Sequence, residues 1–236
     1  MFYSERQEEL LALLKKEKSM RVSSIAQKLF TSESTVRRDL TALEKEGLLR
    51  RTFGGAVIRE TERADEPLVI RNTKNKKAKE EIARRAAELV RDGMLIFLDS
   101  STTAAHLVPH LARFHELTVV TNSPAISIAL GEVGIQNFCT GGEFSAPSGS
   151  YVGGYTVDFL RDFYADIAFI SCRGFSDDGL LTESNVEFVH VKKQMMRNAK
   201  RRVFICDSSK FGRVFSQRLA DKNDFDDIIT DKNEDI

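Results

Sequence analysis

Residues 34–39, Ser-Thr-Val-Arg-Arg-Asp, place two arginines, Arg37 and Arg38, side by side in a short polar segment. An arginine can donate two parallel hydrogen bonds to the edge of a guanine. Three apolar residues recur around the pair at i, i+4 and i+7: Val36, Leu40 and Leu43. This spacing predicts a helix that is held by one apolar face. We interpret the segment as a helix that presents its arginines to the major groove of DNA.

Two further helices and a hairpin are predicted around this helix. Apolar spacing predicts a first helix near the N-terminus and a second over roughly 22–30. Ser32 is a predicted N-cap of the third helix, and Gly47 a predicted stop. Residues 48–58 then read as two short strands around a glycine turn, a wing beside the third helix. The first 58 residues are therefore predicted to be a winged helix-turn-helix domain.

The alternative for this region is a three-helix bundle whose arginines are merely solvated. A second arginine pair on the wing, Arg50 and Arg51, favours DNA binding instead. We expect the helix residues to contact bases and the wing arginines to contact phosphates. The predicted DNA-binding residues are Ser34, Thr35, Arg37, Arg38, Arg50, Arg51 and Gly54.

Composition limits the other classes of function. The formal net charge of the 236 residues is zero, but residues 1–60 hold 12 Lys/Arg against 9 Asp/Glu. A modestly basic N-terminal region suits a specific, salt-sensitive DNA contact. The three cysteines show no CxxC spacing, which favours buried free thiols over a disulfide framework or a zinc site. With neither a signal peptide nor a long apolar run, we expect a cytoplasmic protein without a membrane segment. No HExxH surrounds His106 and His110 and no GxxxxGK(S/T) is present, so we expect neither a metal nor a cofactor.

The rest of the chain predicts a linker over 59–75 and a second domain over 76–236. Short apolar strands alternate with amphipathic helices there, which predicts a mostly parallel α/β sheet covered on both faces. The predicted strands are 94–98, 117–121, 136–139, 167–172, 203–206 and 228–230. The predicted helices are 76–91, 102–112, 124–131, 155–162 and 184–199.

Polar residues follow five of these strands. Ligands of parallel α/β sheets bind at the carboxyl ends of the strands, and amides and hydroxyls at a helix start suit a phosphate. Each such residue alone has an ordinary explanation as a cap or a turn, but five polar strand ends together favour a small anionic ligand. The predicted effector-binding residues are Asp99, Ser100, Ser101, Thr102, Thr103, Asn122, Gly141, Gly142, Arg173 and Lys210.

Seven motifs in one order resemble the DeoR family of bacterial sugar-responsive transcription regulators, which are mostly repressors. They are TVRRDL at 35–40, EGLLRR at 46–51, GGAV at 54–57, LDSSTT at 98–103, VVTN at 119–122, TGG at 140–142 and DSSKFG at 207–212. The resemblance covers nearly the whole chain. It implies a C-terminal sugar-phosphate sensor domain akin in fold to ribose-5-phosphate isomerase. It also implies that the loop 100–103 holds the phosphate.

Three positions depart from the family pattern. Phe30 stands where a turn glycine is common, so the turn between the helices is expected to be recast around an aromatic. Ser101 replaces a frequent glycine in the phosphate loop, which would narrow that loop. Arg173 replaces a frequent acidic or amide residue, so it would either add a phosphate contact or exclude the usual ligand.

Two functions fit these features of the sequence. The favoured one is a repressor, homodimeric or homotetrameric, that binds double-stranded operator DNA under the control of a phosphorylated sugar, with no catalytic residues. The alternative is a sugar-phosphate isomerase with an appended DNA-binding domain. An isomerase needs a general base, and Glu183 and Glu187 are the candidates.

Overall fold

The computed structural model describes residues 3–45, 48–58 and 68–232. The chain divides into two compact units, Met1–Ile70 and Arg71–Ile236. Residues 59–67 of the predicted linker and Gly47, the predicted helix stop, lie outside the described residues. A short helix, Leu68–Thr73, occupies part of the predicted linker. The predicted limits of the DNA-binding domain (1–58), the linker (59–75) and the second domain (76–236) stay a prediction.

The described residues of the first unit up to position 58 form three helices and a small antiparallel sheet. Its elements are α1 (Tyr3–Glu17), β1 (Ser19–Arg21), α2 (Val22–Lys28), α3 (Glu33–Lys45), β2 (Leu49–Thr52) and β3 (Gly55–Ile58). The strand order is β1-β3-β2. The predicted hairpin wing is thus present, and a third strand, β1, joins it. Three residues are too few to show a period, which is why β1 was not predicted.

Helix α3 packs by the predicted stripe. Val36, Leu40 and Leu43 are at most 1% exposed and lie in the core of this unit. The helix starts where Ser32 caps it, because the backbone N–H of Thr35 donates to the Ser32 Oγ at 3.2 Å. The predicted cap is confirmed. This packing leaves the opposite face of α3 exposed to solvent.

The turn between α2 and α3 keeps the geometry of a glycine turn although Phe30 occupies it. Phe30 has a left-handed φ of +49°. The N–H of Phe30 donates to the Gln27 carbonyl at 3.3 Å, and the N–H of Thr31 donates to the Ala26 carbonyl at 3.0 Å. These two bonds form the Schellman motif, in which glycine is usual at this position. The expected recasting around the aromatic is therefore wrong, since the backbone bonds satisfy the end of α2 without any contribution from the ring.

The second unit is an α/β domain built on a six-stranded, fully parallel sheet of order β14-β12-β9-β4-β5-β6. Its strands are β4 (Leu95–Leu98), β5 (Thr118–Thr121), β6 (Gln136–Cys139), β9 (Ala165–Ile170), β12 (Ala199–Cys206) and β14 (Asp227–Thr230). Its helices are α5 (Lys76–Ala87), α6 (Thr102–Ala105), α7 (Val108–Leu111), α8 (Pro124–Glu132), α9 (Gly154–Arg161) and α10 (Val186–Arg197). The helix α4 (Leu68–Thr73) crosses the boundary between the units, and its residues from Arg71 onward belong to the second unit.

Two cores lie on the two faces of this sheet, as predicted. Successive residues of a strand point to opposite faces. Accordingly, Ile96 and Leu98 pack in one core with α5, α7 and α8, whereas Phe97 packs in the other with α9 and α10. Cys172 and Cys206 are buried free thiols in the second core. The sheet is therefore a rigid platform whose strand ends can hold a site.

Smaller elements differ from the prediction. The predicted helix 102–112 is two short helices, α6 and α7. A hairpin, β7 (Glu143–Ser145) with β8 (Ser150–Val152), was not predicted. Neither was an antiparallel sheet of β10 (Gly174–Phe175), β11 (Leu180–Glu183) and β13 (Gln217–Asp221). Strands of two to five residues give too little alternation to be recognised from sequence.

Candidate functional site

The exposed face of α3 carries four of the predicted DNA-contacting residues. Ser34, Arg37 and Arg38 are exposed, and Thr35 is half-buried. Arg37 donates to the Glu33 carboxylate at 2.9 Å, and both side chains are about half exposed. An exposed pair one turn apart contributes only ~0.3–0.5 kcal/mol. Arg37 can therefore leave Glu33 for a stronger acceptor at little cost.

A buried ion pair fixes α3 to α1. Asp39 is fully buried, and its two carboxylate oxygens accept from Arg6 at 2.6 and 3.0 Å. This residue was seen in sequence only as the neighbour of the arginine pair. Its partner lies 33 positions away, and no local period indicates such a pair. The pair holds the arginine-bearing turn of α3 in a fixed orientation.

The two wing arginines differ in their surroundings. Arg51 donates to the Thr41 Oγ1 of α3 at 2.8 Å, and its backbone N–H donates to the Glu44 carboxylate at 2.7 Å. Arg50 is exposed and points to the opposite face of the strand, because side chains alternate along β2. Arg51 thus joins the wing to α3, while Arg50 lies on the outer side.

The carboxyl ends of the parallel strands bring the predicted effector residues to one edge of the second unit. Asp99 follows β4, Asn122 follows β5, Gly141 and Gly142 lie just beyond β6, and Lys210 lies just beyond β12. Arg173 is the third residue after β9, is half-buried, and donates its backbone N–H to the Thr182 carbonyl at 3.0 Å.

Asp99 organises this edge from inside. Its side chain is fully buried and accepts from the backbone N–H of Ser101 at 3.0 Å and of Ser171 at 2.8 Å. Lys192 lies 3.3 Å from the same carboxylate. All these contacts are internal. Asp99 therefore positions the loop 100–103 in this structure.

Lys192 and Glu183 form a buried ion pair that the sequence did not indicate. The Lys192 ammonium donates to the Glu183 carboxylate and, at 2.8 Å, to the Ser171 carbonyl. Burial lowers the pKa of Lys192, but the Glu183 and Asp99 carboxylates raise it by more than burial lowers it. The pKa of Lys192 therefore lies above the usual value of a lysine. The lysine is therefore charged at neutral pH, and β9, β11 and α10 are linked beneath the site.

Lys210 and Asp207 form a second polar pair at this edge. Lys210 donates to the Ser171 Oγ at 2.8 Å and lies 3.9 Å from the Asp207 carboxylate. Asp207 also accepts from the Asn75 side-chain amide at 2.8 Å. Burial raises the pKa of Asp207, but Lys210, Ser209 and Asn75 outweigh it and leave the pKa below the usual value. Asp207 is thus ionised at neutral pH.

Two buried polar atoms at this edge have no partner within the described part of the chain: the Thr103 Oγ1 and the Asn122 Oδ1. Thr103 is fully buried and Asn122 is 2% exposed. A buried polar atom that lacks a hydrogen bond costs roughly 1–3 kcal/mol. These atoms follow neighbouring strands, so together they offer a donor and an acceptor to a bound molecule.

The loop beyond β6 requires glycine. Gly142 has a φ of +112°, and a Cβ built on it would lie 2.4 Å from the Thr156 Oγ1. Thr156 in turn donates to the Gly141 carbonyl at 2.7 Å. Gly141 has a φ of +66° and open space beside it. This loop can therefore bring its backbone close to a ligand.

Comparison with known families decides the identity of the chain. Residues 6–62 match the DeoR-like helix-turn-helix domain, and residues 74–232 match the DeoR C terminal sensor domain. The protein belongs to the DeoR family. It is a DNA-binding helix-turn-helix transcriptional regulator with a C-terminal sensor domain, as its sequence predicted.

Similar DeoR-family proteins include two curated regulators. The chain is 34% identical to the HTH-type transcriptional regulator YulB of Bacillus subtilis over 98% of this chain and 90% of that protein. It is 30% identical to the L-fucose operon activator of Escherichia coli over 97% of this chain and 95% of that protein. The second relative is named an activator, so the repressor prediction for this chain stays a prediction.

The second unit is also similar to a solved ribose 5-phosphate isomerase A from Methanocaldococcus jannaschii. The match has a TM-score of 0.44 and 21% identity, and it covers 58% of this chain and 55% of the isomerase. A likeness as weak as this does not show that the chain has isomerase activity. Across the described ranges of this regulator, no helix is long and apolar enough to cross a membrane. No group of three or more His, Cys, Asp or Glu residues in the same ranges is placed to hold a metal ion.

Proposed function

We propose that this DeoR-family regulator binds operator DNA through α3 and its wing, and that a phosphorylated sugar at the sheet edge changes the operator affinity. The observation that carries the effector site is the pair of unpartnered buried atoms, the Thr103 Oγ1 and the Asn122 Oδ1. A polar ligand would satisfy both. The role of the sugar is supported further by the relative that is named for an L-fucose operon.

The phosphate is assigned to the loop 100–103. Ser101 caps α6, since its Oγ accepts from the Ala104 N–H at 3.1 Å. The first N–H groups of a helix have no partner inside it and point outward. Lys210 supplies a positive charge at the same edge, and its ammonium can move from the Ser171 Oγ to an anion. Hydroxyls, amides and one ammonium together match a phosphate monoester.

The DNA contact is assigned to Thr35, Arg37 and Arg38 for bases and to Arg50 and Arg51 for phosphates. Ser34 and Gly54 adjoin these residues, at the start of α3 and in the wing turn. A head of this size contacts little DNA, so we propose that two or four copies bind together, each pair of heads spanning two half-sites. The family pattern favours repression.

Coupling between the two sites is assigned to Asn75 and α4. Asn75 has a left-handed φ of +53° and bonds to Asp207 beside Lys210. Lys79, which is 3% exposed, donates to the Lys74 carbonyl at 2.7 Å and also to the Arg71 carbonyl, so it holds the end of α4. An anion that draws Lys210 away from Asp207 would change this link. A ligand acts on DNA affinity only through such a difference between two states.

The alternative, an isomerase, receives less support. The candidate base Glu183 is 2% exposed and paired with Lys192. The carboxylate of Glu187 lies at the start of α10, where the Glu187 backbone N–H donates to the Asn185 side chain at 2.9 Å. A general base must reach a C–H bond of the substrate, whereas the Glu183 carboxylate is buried and already paired with Lys192. We propose a sensor that binds the sugar phosphate without converting it.

A thermal-shift series tests the effector site. A phosphorylated sugar at a hundred times its dissociation constant should stabilise the protein by about 2.7 kcal/mol, whereas the same sugar without phosphate should not. Thr102→Val with Thr103→Val should abolish the shift, because the hydroxyls are lost while the shape is kept. Ser127→Ala is the matched control and should respond like the wild type, because Ser127 lies on α8 and its hydroxyl donates to the Asn137 side chain of β6. An unchanged shift in the double variant would place the phosphate elsewhere, and turnover of the sugar would favour the isomerase.

A further inference from the structure

The wing ends in a fully exposed aromatic ring. Phe53 is the first of two loop residues between Thr52 and Gly55, which are paired across the hairpin. Phe53 is fully exposed, although Leu49 and Ala56 of the same hairpin are buried. A ring with no packing partner adds nothing to the core of the first unit. Its apolar surface is therefore available to another molecule.

The backbone holds this ring on a fixed turn. Gly54 has a φ of +84°, as the second loop position of a type II turn requires. The Gly54 carbonyl accepts from the Val22 N–H at 2.9 Å, which ties the turn to the start of α2. A Cβ on Gly55 would lie 2.4 Å from the Met20 carbonyl oxygen, so β3 passes β1 closely. The tip is thus anchored to the helix-turn-helix.

Three arginines lie on the strands of the sheet that carries this ring. Arg21 is exposed and lies opposite Gly55 in the sheet. Arg50 is exposed on the outer face of β2, and Arg51 joins the wing to Thr41 of α3. A hairpin that carries arginines on its strands and an exposed apolar ring at its tip complements a surface that is lined by phosphates and has apolar base faces beneath.

We propose that Phe53 enters the minor groove next to the major groove that receives α3, where its ring inserts as an apolar wedge between two base pairs. This inference rests on the proposed function, in which α3 reads the major groove. Arg51 of the wing is hydrogen-bonded to Thr41 of α3, which places the hairpin beside the helix that the proposed function assigns to the major groove. A phenylalanine ring has no donor or acceptor with which to read the major-groove pattern. Apolar rings that enter the minor groove unstack one step and bend the duplex.

A preference in DNA sequence follows from the wedge. Pyrimidine–purine steps such as TA and CA unstack most easily. The regulator should therefore prefer such a step in the flank of each half-site, at a position that no arginine contacts. This preference arises from DNA deformability and should disappear when the ring is removed.

A bending assay tests the wedge. The probe is a duplex selected from a randomised library by the wild-type protein, with a dye on each end and 2-aminopurine in the flanking step. Wild type should raise energy transfer between the dyes and brighten 2-aminopurine. Phe53→Ala should lose both signals and bind about ten-fold more weakly, whereas Phe53→Leu, which keeps an apolar wedge, should retain most of the bend. Phe144→Ala, an exposed phenylalanine of the second unit, is the matched control and should bend the probe like wild type.

Three outcomes would overturn the proposal. Phe53→Ala with wild-type affinity and bend would show that the ring does not touch DNA. An affinity loss that is reproduced by replacing flanking thymines with uracils would show a major-groove contact with a thymine methyl instead. If the wild type selects no duplex at all, the proposed function fails first, and the wedge fails with it.

Discussion

At the residue scale, Phe30 has a strained backbone conformation, and its side chain does not pack in the core. Its φ is +49° and its ring is 97% exposed. A left-handed residue with a side chain costs roughly 1–2 kcal/mol relative to glycine. Glycine in turn loses about 0.4–1 kcal/mol through the greater freedom of the unfolded chain. The strain is therefore the larger of the two effects.

We predict that Phe30→Gly stabilises the first unit by roughly 0.5–1 kcal/mol, the balance of these two terms. Phe30→Ala is the control, because it removes the ring but keeps the Cβ and thus the strain. Hydrogen exchange of the α2 and α3 amides in the whole protein measures the effect. Slower exchange in the glycine variant alone is expected, and equal exchange in both variants would show that the backbone is not strained here.

The features that depend on local spacing, namely a helix cap and a buried stripe, were the most predictable from the sequence. Ser32 and the stripe of Val36, Leu40 and Leu43 have the environments that their spacing predicts. The pairs Arg6–Asp39 and Lys192–Glu183 were missed. Each joins residues on different elements, and only the folded chain brings those elements together. Whether the predicted DNA and effector residues make contact with their ligands stays a prediction.

At the scale of the secondary-structure elements, six short apolar runs in the sequence predicted six parallel strands. A strand that is buried on both faces needs a continuous apolar segment. The small sheet of β10, β11 and β13 was missed, since its strands are too short to alternate visibly. That sheet carries Glu183 and lies directly after β9 and Arg173. The apolar runs therefore predict the parallel sheet that carries the site, but they do not predict the small antiparallel sheet beside it.

Helix α4 and Asn75 give a prediction about coupling at this scale. Asn75→Gly keeps the left-handed backbone but removes the amide that bonds to Asp207. The variant should still show the thermal shift with a sugar phosphate, yet its DNA affinity should no longer change with the ligand. Lys77→Ala, at an exposed neighbour, is the control and should stay responsive. A full DNA response in Asn75→Gly would exclude this link as the path of coupling.

The whole molecule combines a DNA-binding domain with a sensor domain, each with its own core. A variant that affects one site should therefore leave the other intact. Arg37→Ala with Arg38→Ala should weaken DNA binding, by about 1–3 kcal/mol for each arginine that contacts a base. The thermal shift with the sugar phosphate should persist in this variant. Loss of both activities together would indicate a misfolded protein and not a lost contact.

The most direct test of the central claim measures DNA affinity with and without the effector. Fluorescence anisotropy of the selected duplex is recorded at one fixed salt concentration, against a panel of sugar phosphates and the matching free sugars. At least one sugar phosphate should change the dissociation constant of the wild type, and linkage requires that DNA change the affinity for that sugar phosphate by the same factor. The Thr102→Val, Thr103→Val protein should bind the duplex normally and ignore the ligand. A wild type whose DNA affinity no phosphorylated sugar alters, or a double variant that responds fully, would contradict the account.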